Sequence, residues 1–256
     1  MPLVETEAIV LHAFDYSETS RILRIATRDA GVQSVLARGA RRSKSRFGSA
    51  VDLFAQGHAE LHLREGRDLQ TLSAFDVTRA RAAIADDLGR FTGASMVAEI
   101  MLRFGAADDS HSALFDALSA SLDRIERAAA ERASEAGLAG AWRLLAELGF
   151  APSLPDCSSC HTPLDPAAVV AFHHSLGGAL CASCAARHPG GRALPPDERA
   201  RIAAWCVGDD ASTRVLSAKE AQAHQRLLRE FLEYHLSDDR SLRAFAAWEH
   251  GHWGDA

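Results

Sequence analysis

Four of the five cysteines fall into two C-x2-C pairs, Cys157/Cys160 and Cys181/Cys184, separated by 20 residues. No other feature limits the fold as tightly. A C-x2-C loop presents two thiolates to one tetrahedral ion, and a second loop closes the shell at four sulfurs. "GGALCASC" puts small residues ahead of the second pair, so the backbone can curl closely around a metal.

Competing chemistries fit this pattern less well. The acidic N-terminus "MPLVETEAIV" lacks the charged and apolar regions of a signal peptide. No apolar run approaches the roughly 20 residues of a membrane span. The expected location is therefore cytoplasmic, where disulfides are disfavoured. A redox C-x-x-C normally follows a strand and opens a helix, whereas the flanks here are Pro-rich loop. Zinc deaminases use H-x-E followed by P-C-x-x-C. His58-Ala59-Glu60 and "PDCSSC" come near that signature, but the proline is one position off and the second pair fills the shell without histidine. The expectation is a closed, structural Zn2+ site at Cys157, Cys160, Cys181 and Cys184. His161, His173, His174 and His188 lie near them in sequence and read as surface loop residues, any of which could replace a thiolate. Cys206 follows Trp205 on an apolar helix face and reads as a buried free thiol.

Hydrophobic periodicity divides the rest of the chain. Up to residue 80 the period is two. "EAIVLHAFD", "RILRIATRD", "VQSVLAR", "HAELHLRE" and "LQTLSAFDV" read as five strands joined by short turns, which predicts a small barrel or sandwich. From residue 81 the period is helical. Ile84, Leu88, Phe91 and Ser95 form one stripe, Leu114, Leu118, Leu122 and Ile125 a second, and Leu138, Trp142, Leu145 and Leu148 a third. Residues 151–194, rich in Gly, Pro and Cys, read as a loop-dominated insert. Helices resume at "PPDERARIAAWCV", at Ser217, where Glu220 completes a capping box, and at "SLRAFAAW".

Charge is distributed unevenly. The chain holds 28 Lys and Arg against 34 Asp and Glu, yet "RGARRSKSRFG" packs Arg38, Arg41, Arg42, Lys44 and Arg46 into nine positions without an acid. Residues 1–80 carry 11 basic and 10 acidic side chains, and residues 81–256 carry 17 and 24. The acidic rear part does not favour nucleic acid. The cationic stretch joins the third and fourth strands, and small barrels bind single strands with a basic groove and aromatic platforms. Phe47, at its end, is either such a platform or a core residue. There is no phosphate-cradling G-x-x-x-x-G-K-[ST] loop and no nucleophile–base motif, so an enzyme is not expected.

Taken in order, these segments resemble the RecO family of bacterial recombination mediators. "EAIVLHAFDYSETSRILRIATRDAG" is similar to the family's opening strand pair, and "RGARRSKSRFG" to its most recognisable segment. "LLAELGFAPSLPDCSSC" resembles its approach to a four-cysteine element, and "LLREFLEYHLSDDRSLRAF" its C-terminal helix. The sequence departs from the family pattern at Arg38, usually Lys, and at Ser43, often Pro. It is also less basic around Arg240 and Arg243, where Asp238 and Asp239 intervene.

The resemblance implies an α+β, multi-domain chain. Residues 1–80 would be a five-stranded, DNA-binding OB-fold, and residues 81–256 a helical domain with a zinc-ribbon-like insert at about 151–194. It implies a non-enzymatic protein that binds single- and double-stranded DNA and anneals complementary strands. Such a protein works with RecR and often RecF to load RecA onto strands coated by single-strand-binding protein, and is nucleoid-associated when acting. A protein-interaction adaptor whose DNA binding is secondary is the alternative.

Overall fold

A computed structural model describes residues 3–42, 47, 51–64, 66–106, 111–209, 214–235 and 242–250. The five expected strands are present as β1 (Leu3–Asp15), β2 (Arg21–Thr27), β3 (Gly31–Ala37), β4 (Gln56–His62) and β5 (Gln70–Arg79). They close a barrel in the order β1-β2-β3-β5-β4. β3 and β5 pair in parallel and the other neighbours antiparallel, as in an OB-fold. β1 serves two edges: Leu3 to Ile9 pair with β4, and Ala8 to Asp15 with β2. A register shift between Val10 and His12 bends the strand between them. At Gly57 a Cβ would lie 2.2 Å from the Asp76 carbonyl oxygen, so only glycine allows β4 and β5 to meet there.

Strand alternation sorts the side chains into two cores. Ala8, Val10, Leu23, Ile25, Val35, Leu61 and Leu72 fill the barrel. Ile9, Leu11, Ala26 and Val32 point outward and, with Phe54, join the core of the helical part. The helices therefore cover one portion of the barrel's outer surface, and the two parts share apolar burial.

The helices are α1 (Leu88–Phe104), α2 (Ser112–Arg127), α3 (Ala133–Glu147), the short α4 (Ala182–Arg187), α5 (Pro196–Val207), α6 (Ala218–His235) and α7 (Arg243–His250). The stripe on α2 is buried as expected, and on α3 Leu138, Trp142 and Leu145 are fully buried. Of the first stripe only Ile84 is fully buried, with Phe91 packed at the edge of the core. Ile84 belongs to a separate 3-10 turn, Leu88 is 47% exposed, and α1 begins only after Asp87 accepts a hydrogen bond from the Arg90 amide. What α1 buries is Gly93, Ala94, Met96, Val97, Ala98, Ile100 and Met101. Small residues are buried because neighbours approach closely: the Trp248 indole of α7 lies over both Gly93 and Gly137. The capping box at α6 is formed in both directions, with Ser217 N donating to Glu220 Oε2 at 2.8 Å and Glu220 N to Ser217 Oγ at 3.4 Å.

Arg81 ties the barrel to the helices. Its side chain is fully buried. Its guanidinium donates to Asp123 Oδ1 (2.8 Å), the Phe54 carbonyl (2.9 Å), Gln56 Oε1 (2.6 Å) and Ser119 Oγ (3.1 Å). Phe54 and Gln56 flank the start of β4, while Ser119 and Asp123 lie one turn apart on α2.

The insert is more ordered than a loop-dominated segment. It carries β6 (Val170–His173), β7 (Gly178–Leu180) and β8 (Arg192–Leu194), in the order β7-β6-β8. Strands of three or four residues are too short to leave a periodic signal, and Gly and Cys mask what remains.

Candidate metal centre and nucleic-acid interface

The two C-x2-C turns meet. The Sγ atoms of Cys157, Cys160, Cys181 and Cys184 all lie within 4.8 Å of one another, and Cys160 and Cys181 are 3.8 Å apart. Backbone bonds shape each turn: His161 N donates to the Cys157 carbonyl (2.8 Å), and Ala185 N to that of Cys181 (2.9 Å). Gly178 lets the two strips of chain touch, since a Cβ there would sit 2.2 Å from the Ser153 carbonyl oxygen. Cys157 and Cys184 are buried, Cys181 is half-buried and Cys160 exposed.

The electrostatics favour the thiolate at Cys181 and Cys157 and oppose it at Cys184. The Ser183 hydroxyl, then the Cys184 amide, bring the Cys181 thiol down to about 6. Burial works to raise Cys157, but the amides of Cys181, Cys160 and Ser159 outweigh it and lower the pKa. Burial pushes Cys184 upward, opposed in part by Arg187, whose Nη2 donates to Cys184 Sγ at 3.0 Å. Four convergent sulfurs with donors around them fit one four-coordinate metal ion. Arg187, three positions after Cys184 on α4, was not singled out from sequence. A basic residue one helical turn beyond the last ligand is the signal that would have found it.

No histidine joins this group of four among the described residues. His161 is exposed, but His173 is not a surface loop residue: it lies buried in β6, with Nδ1 3.0 Å from Ser175 Oγ. Cys206 is a buried free thiol on α5, and burial raises it to about 12.

The cationic stretch occupies the connection between β3 and β4, as expected. Arg38, Arg41 and Arg42 are exposed. Lys44 and Arg46, with Ser43, lie outside the described residues, as do Asp238, Asp239 and Arg240. Arg41 is fastened to the β1–β2 turn: its amide donates to the Thr19 carbonyl (3.0 Å), and its Nη1 to the Ser17 carbonyl (3.0 Å). An acid does reach it, for Asp15 Oδ2 is 3.4 Å from Arg41 Nη2. Asp15 lies 26 positions upstream, so a search of the local sequence could not pair them. Asp15 also meets Arg21 at 3.4 Å, which draws a further arginine to the same lip. Phe47 is 1% exposed inside the barrel core, so it is a core residue and not a platform.

Among the described residues, no helix is long and apolar enough to cross a membrane. Residues 1–81 match the family model described as recombination protein O N terminal, and residues 85–243 the one described as recombination protein O C terminal. The DNA repair protein RecO of Anaeromyxobacter sp. (strain K) is 34% identical over 253 residues, covering 96% of this chain and 96% of that protein. The DNA repair protein RecO of Nocardioides sp. is 31% identical over 245 residues, covering 95% and 98%. That of Syntrophotalea carbinolica is 33% identical over 179 residues, covering 70% and 68%. With a closed five-stranded barrel, a helical part around a four-cysteine cluster and matches over nearly its whole length, the chain belongs to the recombination protein O (RecO) family of DNA repair proteins.

Proposed function

We propose that this protein is a DNA-binding recombination mediator of the RecF-type pathway. It anneals complementary strands and helps load RecA on single-stranded DNA coated by single-strand-binding protein, with RecR and RecF as partners. In this reading it performs no catalytic step and works in the cytoplasm, at the nucleoid. Residues 1–80 form the DNA-binding domain, and residues 81–256 the helical domain carrying the four-cysteine insert. Arg38, Arg41, Arg42, Lys44 and Arg46 contact phosphate rather than bases. The observation that carries the reading is the exposed arginine lip on the barrel, fixed in place by the two Arg41 bonds to the β1–β2 turn. Solvent-facing guanidiniums suit phosphate, which accepts their N–H bonds and gives no sequence information.

The metal in this reading is a structural Zn2+. At a Zn–S distance of about 2.3 Å, a tetrahedral shell has sulfurs about 3.8 Å apart, which agrees with the Cys160–Cys181 separation. The ion would cross-link the two turns and neutralise thiolate charge, with Arg187 offsetting part of the remainder.

The test is binding to labelled single-stranded DNA as a function of salt. Five phosphate contacts give a log–log slope of roughly −3.5, from about −0.7 per contact. Replacing Arg41, Arg42, Lys44 and Arg46 by Ala should weaken binding and reduce the slope to roughly −0.7. A folded variant with unchanged affinity and slope would refute the assignment.

A further inference from the structure

Phe14 and Tyr16 are large aromatics left in solvent, 44% and 56% exposed, on the lip that carries the arginines. We propose that they form a stacking platform for the bases of single-stranded DNA and make this surface prefer single strands over duplex. The proposal rests on the reading of the arginine lip as a phosphate surface and adds what would lie beside the phosphates.

Their position follows from the barrel. Ala13 packs toward the barrel core, so its neighbours His12 and Phe14 face outward by strand alternation. Ile9 and Leu11, earlier on the same outer face, are covered by the helical core, but that cover ends before Phe14. The His12 and Phe14 rings adjoin, with centroids 5.8 Å apart. Tyr16 opens the turn to β2, its amide bonded to the Ser20 carbonyl at 3.1 Å. That same turn receives the two Arg41 bonds, so the aromatic and cationic segments form one lip. Among the described residues, Tyr234 is the only other exposed Phe, Tyr or Trp.

Charge selects the occupant. Arg21, Arg24, Arg38, Arg41 and Arg42 lie on this lip and its strands against Asp15 and Glu18. Arg24 sits opposite His12 in the β1–β2 ladder, and its Nε is buried without a hydrogen-bond partner. The surface asks for a ligand that is anionic along its length and offers flat π-faces. A duplex satisfies the arginines but keeps its base faces within its own stack. A single strand offers both together.

The test compares labelled oligo(dT) with a duplex of the same length, by fluorescence anisotropy across a salt series. The Phe14→Ala/Tyr16→Ala variant should bind oligo(dT) about tenfold or more weakly, by loss of base stacking. Its duplex affinity and salt slope should stay at wild-type values. Phe14→Tyr and Tyr16→Phe, which keep the rings, should bind like wild type. If the alanine variant is thermally impaired, Phe14→Leu/Tyr16→Leu, apolar but without rings, takes its place with the same expectation. Unchanged oligo(dT) affinity, or an equal loss on duplex, overturns the platform while leaving the arginine reading intact. A wild-type protein that binds neither DNA at low salt overturns the arginine reading, and the platform with it.

Discussion

Removing the Arg81 guanidinium is the most demanding test of how the barrel and helices are joined. The side chain is fully buried, and its donors satisfy a carboxylate, a backbone carbonyl, a side-chain amide and a hydroxyl from two different parts of the fold. Breaking a buried ion pair by deleting one partner costs about 3–5 kcal/mol, because the other partner is left desolvated. Here the lower end applies, since Asp123 keeps Arg79 and, at 3.3 Å, Arg127. Gln56 Oε1 also keeps Ser119 Oγ, at 2.7 Å. Arg81→Ala is therefore expected to lose about 3 kcal/mol. At roughly 2–4 °C per kcal/mol for a chain of this size, Tm falls by about 6–12 °C. The backbone supplies an internal control. Arg81 has φ 50°, a left-handed conformation that costs a residue with a Cβ about 1 kcal/mol relative to glycine. Arg81→Gly should thus be more stable than Arg81→Ala by about that amount, though both lack the guanidinium. Thermal and urea unfolding followed by circular dichroism measure both. An Arg81→Ala protein with wild-type Tm, or a glycine variant less stable than the alanine one, would refute this account.

Two further outcomes concern the helical part. Cys157→Ser should abolish metal retention, read as bound Zn2+ per chain by elemental analysis. It should also remove the stabilisation by metal, about 4 kcal/mol if the free ion stands a thousandfold above its Kd. Full metal content in a folded variant would count against the four-sulfur site. Glu220, hydrogen-bonded first by Arg214 and then by Ser217, has its carboxyl lowered to about 2 from 4.5. A depressed carboxyl stabilises the fold above its unfolded pKa and loses that contribution as pH falls through the folded one. The Tm gap between wild type and Glu220→Gln should accordingly be complete above about pH 4.5 and close toward pH 2. A gap that does not vary with pH would mean the charge is not responsible.

What the sequence disclosed depended on the range over which each determinant acts. Alternation along five short strands and the spacing of two cysteine pairs are local patterns, and both led directly to observed structure. The face of α1 was misread because its neighbours, not its own residues, decide what is buried. Trp248, more than 100 positions away, makes Gly93 a core position, and Leu88 is left in solvent. The same reasoning separates the aromatics. Phe47 was the candidate platform because it adjoins the arginines in sequence, but the chain folds it into the barrel. Leu11 and Phe14 are three positions apart, which strict alternation would place on opposite faces; the register shift between Val10 and His12 puts both on the outer face of β1. Only the extent of the helical cover distinguishes them, burying one and leaving the other exposed. Asp15 and Arg41 likewise meet only because the β1–β2 turn and the β3–β4 connection lie at the same end of the barrel. A charge run therefore identified the region of the surface, while barrel closure determined which side chains share it. A nucleic acid would meet that spatial set, Phe14 and Tyr16 beside Arg38, Arg41 and Arg42, and not the continuous segment 38–48 alone.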